Sequence, residues 1–387
     1  MNELYNILSI FVTSGLLLAC GLMFLFAFIP GNPLLGNYRK ARYTMAGAYL
    51  FFIAVAGVEY LSGDPSVQSV LLMQTITLAI AASQAFLFTF AMLALVDVQF
   101  PGWRYIFREA AVVLLFIVAV FTVYACCSET FFHIAFYVFA VIYALLLTRY
   151  TVLFLKSYRQ FRYRMDNYYS DEEAGRLRWV AFSFFAALAI GIMALLSAVF
   201  MSIFVALLYA IIFDVFYLFF AIRFINYAHQ FRVIEQAMDD VPEKTAFPVD
   251  EEPIARNDTK TGHTAFAALE KQIEHWVTNK GFTEHRITVD TLAAQLHTNH
   301  KYLSSYINLH KKQTFREWIN ALRIEEAQIM LLQYPDMKIN EIADKTGFLD
   351  KSHFLRQFKK QNKQSPTAWK NHARTQNSPV LTPDFPV

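Results

Sequence analysis

Lys351, Ser352, Arg356, Lys359 and Lys360 put five hydrogen-bond donors within ten residues near the end of the chain. Phe354 and Phe358 are interleaved with them at i, i+4. On a helix this spacing turns both rings to one face and leaves the donors on the other. Lys and Arg donate to phosphate oxygens, and either can match the O6/N7 edge of guanine. Asp350 is a good N-cap for such a helix. Upstream, Ile339, Ile342 and Ala343 make the apolar face of a shorter helix. Gly347 stands where a left-handed C′ residue is needed, and Phe348 plugs the corner. Two helices crossing at a tight turn, the second with a polar and basic outer face, fit the helix-turn-helix geometry that enters a major groove.

The pattern recurs earlier. Leu292, Ala293 and Leu296 face inward on a first helix, and Thr298 or Asn299 caps a second. In that second helix Leu303 and Ile307 face inward, while His300, Lys301, Ser304, Ser305 and Asn308 face out. The stretch "FREWINALRIEEAQIMLLQ" is long enough to join the two units, burying Trp318, Ile319, Leu322, Met330 and Leu331. Residues 264–374 carry 17 Lys and Arg against 11 Asp and Glu, so this region is basic although the whole chain has a formal charge of only +3. No Ser/His/Asp arrangement, paired carboxylates or metal-ligand spacing is present in the sequence. It therefore predicts neither a catalytic residue, nor a cofactor, nor a metal site. Cys20, Cys126 and Cys127 lie in apolar runs and imply no disulfide framework.

Residues 270–374 resemble the AraC/XylS family of bacterial transcription regulators. The resemblance rests on Ile342–Ala343, Gly347–Phe348, Phe358–Lys359–Lys360, Ser365–Pro366, Trp369 and Lys370 in the second unit. In the first it rests on Leu292–Ala293, Tyr302–Leu303, Phe315 and Arg323. It implies two recognition helices in successive major grooves of double-stranded DNA. Carried over, the base-reading positions are Lys301, Ser304 and Ser305, then Lys351, Ser352 and Arg356. Lys359, Lys360 and Lys363 are the phosphate candidates. RNA polymerase is a further partner that the resemblance implies. Two departures concern turns: Lys363 and Lys312 replace a family glycine, which predicts altered bends or strain at positive φ. Ser305 stands where the family often has Arg.

The first 222 residues are of another kind. The chain is 56% hydrophobic and 17% charged, against about 25% charged for an ordinary soluble domain. Seven apolar runs are long enough to span a bilayer: 4–29, 43–61, 67–96, 105–127, 130–148, 179–200 and 202–222. The first has no basic n-region and no A-x-A site, unlike a signal peptide. Arg39, Lys40 and Arg42 follow the first run, Arg104 and Arg108 the third, and Arg149 through Arg178 the fifth. The alternate connections show Glu3, Asp64 and Glu129 and no Lys or Arg. Cytoplasmic loops retain Lys and Arg, so the N-terminus is expected outside and the C-terminal region in the cytoplasm; the family resemblance implies that the membrane is a bacterial inner membrane.

Asp214 lies within the seventh run, where an ionisable group is costly. It reads as a packing residue facing the bundle or as a site that senses an unknown stimulus. Glu59 and His133 lie near the outer surface and are either pocket-lining sensors or solvated loop ends. After the seventh run, Phe224, Tyr227, Phe231, Ile234 and Met238 form an a/d stripe. It fits pairing with a second copy of the chain or an amphipathic helix on the inner leaflet. Residues 239–265 have the acidic, proline-containing composition of a linker.

The predicted fold is all-α. The predicted domains are a seven-helix module (1–222), an amphipathic helix with acidic linker (223–263), a DNA-binding domain (264–374) and a tail (375–387). The expected function is a membrane-embedded transcription regulator. The alternative is a transporter or channel with a regulatory helical domain. Alkaline phosphatase fused after Asp64 or Glu129 should be active, and fused after Gly175 inactive; the reverse pattern would overturn the orientation.

Overall fold

The computed structural model describes residues 2–26, 36–61, 67–96, 103–171, 178–200, 203–239 and 259–377. These residues are helical, with one isolated antiparallel bridge between Tyr169 and Thr288 and no strand among them. The chain divides into two compact units. The first comprises Met1–Phe161 and Arg176–Asp239, and the second Arg162–Gly175 and Asp240–Val387.

Each predicted apolar run falls on one helix: α1 (Asn2–Phe26), α2 (Gly36–Leu61), α3 (Val67–Val96), α4 (Trp103–Cys126), α5 (Glu129–Tyr168), α6 (Arg178–Phe200) and α7 (Ile203–Asp239). Among the described residues, five helices are long and apolar enough to cross a membrane, and Phe11–Phe26 within α1 is a shorter apolar helix. Aromatic packing and tyrosine hydroxyls hold the first unit together. Tyr38 donates to the Phe224 carbonyl at 2.9 Å and Tyr49 to the Tyr217 carbonyl at 2.8 Å, pinning α2 to α7. Around Phe90, Val113, Phe116, Phe132, Phe136 and Tyr150, a second cluster joins α3, α4 and α5. Arg149 of α5 donates to Glu109 of α4, whose side chain is buried.

Two sequence expectations need revision. The span ending at 148 does not end its helix there. Tyr150, Phe154, Phe161, Met165 and Tyr168 continue the buried stripe at helical spacing, so α5 runs on through its basic residues to Tyr168. Phe224 cannot open a seam to a second chain, because it is fully buried and stacked on Tyr38 at 5.0 Å. The side chains of Tyr227, Phe231, Ile234 and Met238 lie outside the described residues.

The second unit contains α8 (Thr259–Thr278), α9 (Val289–Gln295), α10 (His300–Tyr306), α11 (Phe315–Gln333), α12 (Ile339–Lys345), α13 (Lys351–Asn362) and α14 (Pro366–Asn377). Helices α9 and α10 form one helix-turn-helix, and α12 and α13 the other, with α11 between them. Ile324, Ala327 and Leu331 of α11 pack against Ile342, Ala343, Phe348, Phe354 and Phe358. Within this interior sits a cation. Arg323 has no exposed surface. Its Nε donates to the Phe282 carbonyl at 2.9 Å, its Nη2 to the Glu284 carbonyl at 2.7 Å and its Nη1 to the Asp171 carboxylate at 3.3 Å.

Removing one partner of a buried charge pair costs about 3–5 kcal/mol. Arg323→Met, which retains bulk but no donor, should therefore lower the denaturant midpoint for hydrogen exchange in α11 and α12 by a corresponding amount. An unchanged midpoint would show that the guanidinium is dispensable.

Candidate nucleic-acid interface

Helices α9, α10, α11 and α13 each start on a capping side chain, whereas Lys338 ahead of α12 provides none. Thr288 accepts from the Thr291 amide ahead of α9, with Thr291 answering in a capping box. Asn299, one of the two caps foreseen for α10, accepts from the Lys301 amide at 2.8 Å. Asp350 accepts from the His353 amide at 2.8 Å and starts α13. Thr314 and Glu317 form a second capping box at the head of α11. These caps satisfy amides that would otherwise lack partners.

Partial burial alone would raise the Glu317 carboxyl, but the Thr314 amide and the Lys360 ammonium at 3.6 Å outweigh it. The net pKa lies below the usual carboxylate value. The contribution of Glu317 to stability is therefore present above that ordinary value and is lost as pH falls through the depressed one.

The inward residues are as the spacing requires: Leu292, Leu303, Ile307, Phe354 and Phe358 are buried. Lys301, Ser305, Lys351, Ser352, Arg356, Lys359, Lys360 and Lys363 are exposed, and Ser304 is half-buried. His353, on the same helix as Arg356, turns inward and is buried, with Gln357 Nε2 at 3.2 Å and Arg316 Nη2 at 3.4 Å from its Nε2.

Both replaced glycines sit at left-handed positions. Lys312 closes the π-helical turn Ile307–Lys311 at φ 52°, and Lys363 ends α13 at φ 59°. Both turns thus take the positive φ expected where the family glycine is replaced. Gly347, at φ +90°, meets a second demand. A Cβ there would lie 2.7 Å from the Thr283 carbonyl oxygen and 2.9 Å from Arg323 Nε.

Of the three sensing candidates, the structure describes the side chains of Asp214 and His133. Asp214 accepts from the Thr13 hydroxyl at 3.0 Å, linking α7 to α1. His133 is 51% exposed and 3.9 Å from Glu129, one turn earlier. Glu59 lies on α2 with its side chain outside the described residues. Sequence reasoning missed the Glu109–Arg149 pair. It also missed Asp166, Tyr168 and Asp171, whose partners are Arg316, Asp290 and Arg323. A signal was available: "DNYYSDEE" is an acidic, aromatic insertion in an otherwise basic connection.

Residues 292–372 match a family described as "Helix-turn-helix domain". The chain is 30% identical over 90 residues to the Uncharacterized HTH-type transcriptional regulator YijO of Escherichia coli (strain K12), covering 23% of this chain and 31% of that protein. It is 30% identical over 92 residues to the Uncharacterized HTH-type transcriptional regulator YtdP of Bacillus subtilis (strain 168), covering 24% of this chain and 12% of that protein. It thus spans less than a third of either relative's length. A solved structure of a protein of unknown function from Listeria innocua shares 28% identity over 26% of this chain and 94% of that one, with a TM-score of 0.24. The C-terminal part of the chain carries a helix-turn-helix domain of the transcriptional-regulator kind.

A non-glycine residue in the left-handed region costs of order 1–3 kcal/mol. Lys363→Gly should stabilise the second unit by about 1 kcal/mol, read as a higher denaturant midpoint. Because it removes a phosphate candidate, the same variant should bind DNA more weakly, with a salt slope reduced by about 1. Weaker DNA binding without the gain in stability would show that the turn is unstrained.

Proposed function

We propose that the chain is a membrane-embedded transcription regulator of the bacterial inner membrane. In this reading the first unit crosses the bilayer seven times with its N-terminus outside, and the second binds specific double-stranded DNA on the cytoplasmic side. One pairing of observations carries the reading. Helices α4 and α5 turn Leu114, Leu115, Ile134, Val141 and Leu145 outward, each more than 60% exposed. The duplicated helix-turn-helix in the same chain turns Lys301, Lys351, Arg356 and Lys359 outward. Large continuous apolar surface requires a covering, and helices whose backbone groups bond internally are suited to lipid. Exposed basic recognition helices are suited to a polyanion.

Lys301, Ser304, Ser305, Lys351, Ser352 and Arg356 read bases, and Lys359, Lys360 and Lys363 hold phosphates. Asp214, held by Thr13 at a junction of two helices, is the strongest of the three positions for registering a stimulus in the bundle. It has a polar partner on another helix, whereas His133 faces outward.

The test is selection of duplexes from random DNA by the full-length chain in lipid nanodiscs. One preferred sequence should emerge, with affinity falling steeply as salt rises. Arg356→Ala should cost about 1–3 kcal/mol and relax the preference at one base pair, whereas Lys359→Ala should weaken all sequences alike. Enrichment of no sequence would sink the regulator reading.

A further inference from the structure

The second unit is built from two separate stretches of chain, and the shorter one belongs to the connection between α5 and α6. Its described part is the end of α5 from Arg162 together with Tyr169, Ser170 and Asp171. Main chain and side chains both hold it. The Ser170 amide donates to the Ile287 carbonyl at 3.0 Å, and Tyr169 pairs with Thr288 in the antiparallel bridge. Arg316 Nη1 donates to Asp166 at 2.8 Å, the Tyr168 hydroxyl to Asp290 at 2.6 Å and Arg323 Nη1 to Asp171 at 3.3 Å. Met165, Ser170 and Asp171 are buried.

These anchors reach both helix-turn-helix units. Asp290 stands on α9 and also faces His300, the first residue of recognition helix α10, at 3.1 Å. Arg316 stands on α11 and also faces His353 of recognition helix α13. Arg323 lies under the Gly347–Phe348 corner between α12 and α13, with its guanidinium 5.7 Å from the Phe348 ring centroid. The segment is therefore a brace across the domain.

It does not cover the reading face, since Lys301, Ser305, Lys351, Ser352 and Arg356 stay exposed with the segment in place. Two effects remain. Asp166 and Asp171 place carboxylates on two arginines of the basic domain, lowering the field that attracts phosphates. The brace also fixes one relative placement of two recognition helices that must fit successive grooves.

We infer that Arg162–Asp171 is an internal partner of the DNA-binding domain that restrains it, and that its release is the step by which the membrane helices raise DNA affinity. The DNA step rests on the regulator reading; the docking does not. The signal then passes through the α5–α6 connection and reaches the recognition helices by way of Asp290, Arg316 and Arg323. A ligand binds the favoured state of such an equilibrium and shifts its population.

The bridge supplies the test. Residues opposed in an antiparallel bridge have Cα atoms about 4.5–5.5 Å apart, within reach of a disulfide. Tyr169→Cys with Thr288→Cys is made in the full-length chain, with Cys20, Cys126 and Cys127 replaced by alanine, in native-membrane vesicles. Mild oxidation should join the pair. The oxidised protein should bind its selected duplex at least about tenfold more weakly than the same protein reduced, because two cations stay neutralised.

A second variant avoids dependence on the buried Arg323–Asp171 pair. Asp166→Asn with Tyr168→Phe loosens the dock and should bind the duplex about tenfold tighter than the parent, with a steeper salt slope. Equal affinity in the oxidised and reduced states, or tighter binding when oxidised, overturns the restraint. Failure of the disulfide to form alongside a normal DNA selection overturns the docking and the restraint with it, and leaves the regulator reading standing. Full disulfide yield with no preferred duplex sinks the regulator reading and the DNA step with it, and leaves the docking standing.

Discussion

The guanidinium of Arg323 is buried at the meeting point of four pieces of chain, and the second unit is arranged to satisfy it. A charge without solvent is tolerated only when its donors find acceptors. Here they are found on the turn before α9, through the Phe282 and Glu284 carbonyls, and on Asp171. Burial pulls the pKa of Arg323 down and Asp171 pushes it back up; arginine remains charged in either case. Its place on α11 ties that helix to the segment that leads into the first helix-turn-helix. Its contact with Gly347 and Phe348 ties in the second, and the need for space beside its Nε leaves no room for a Cβ at residue 347.

The long apolar helices of the first unit meet the opposite problem. Lipid-facing helices gain little from hiding apolar side chains, so packing shape and a few polar contacts determine how they associate. Tyr38 and Tyr49 fill that role by donating to carbonyls of α7, and Thr13 does so by donating to Asp214. Stacked rings fill the space between them, as in the pair Phe154–Phe184 with centroids 3.9 Å apart. Glu109 and Arg149 form an ion pair between α4 and α5. Its place where the basic connections begin lets one partner stay partly solvated, which lowers the desolvation cost.

Two turn lysines show a different compromise. Lys312 and Lys363 hold left-handed backbone that glycine would adopt without strain. Each places a cation after the second helix of a helix-turn-helix unit.

Most of the domain's architecture was legible in the residues, because it depends on local rules. Helical spacing separates Phe354 and Phe358 from Lys351, Arg356 and Lys359 whatever lies nearby. Asp350, Asn299 and Gly347 mark helix boundaries through their own hydrogen bonds and backbone freedom. Length and apolarity mark the membrane-length helices in the same way, since both are sums over adjacent residues. What the sequence misread were contacts between distant segments. It ended a span at 148, since charge begins there, yet α5 continues because its buried stripe continues. It placed Phe224 on an outer seam, since the spacing fits, yet Tyr38 and Phe24 occupy that face. Nor did spacing reveal that Asp166, Tyr168 and Asp171 have their partners more than a hundred residues away. An acidic residue in a loop has the same local signature whether water or an arginine faces it. Only the folded chain decides which, because the choice depends on the energy of burying a particular cation beside it.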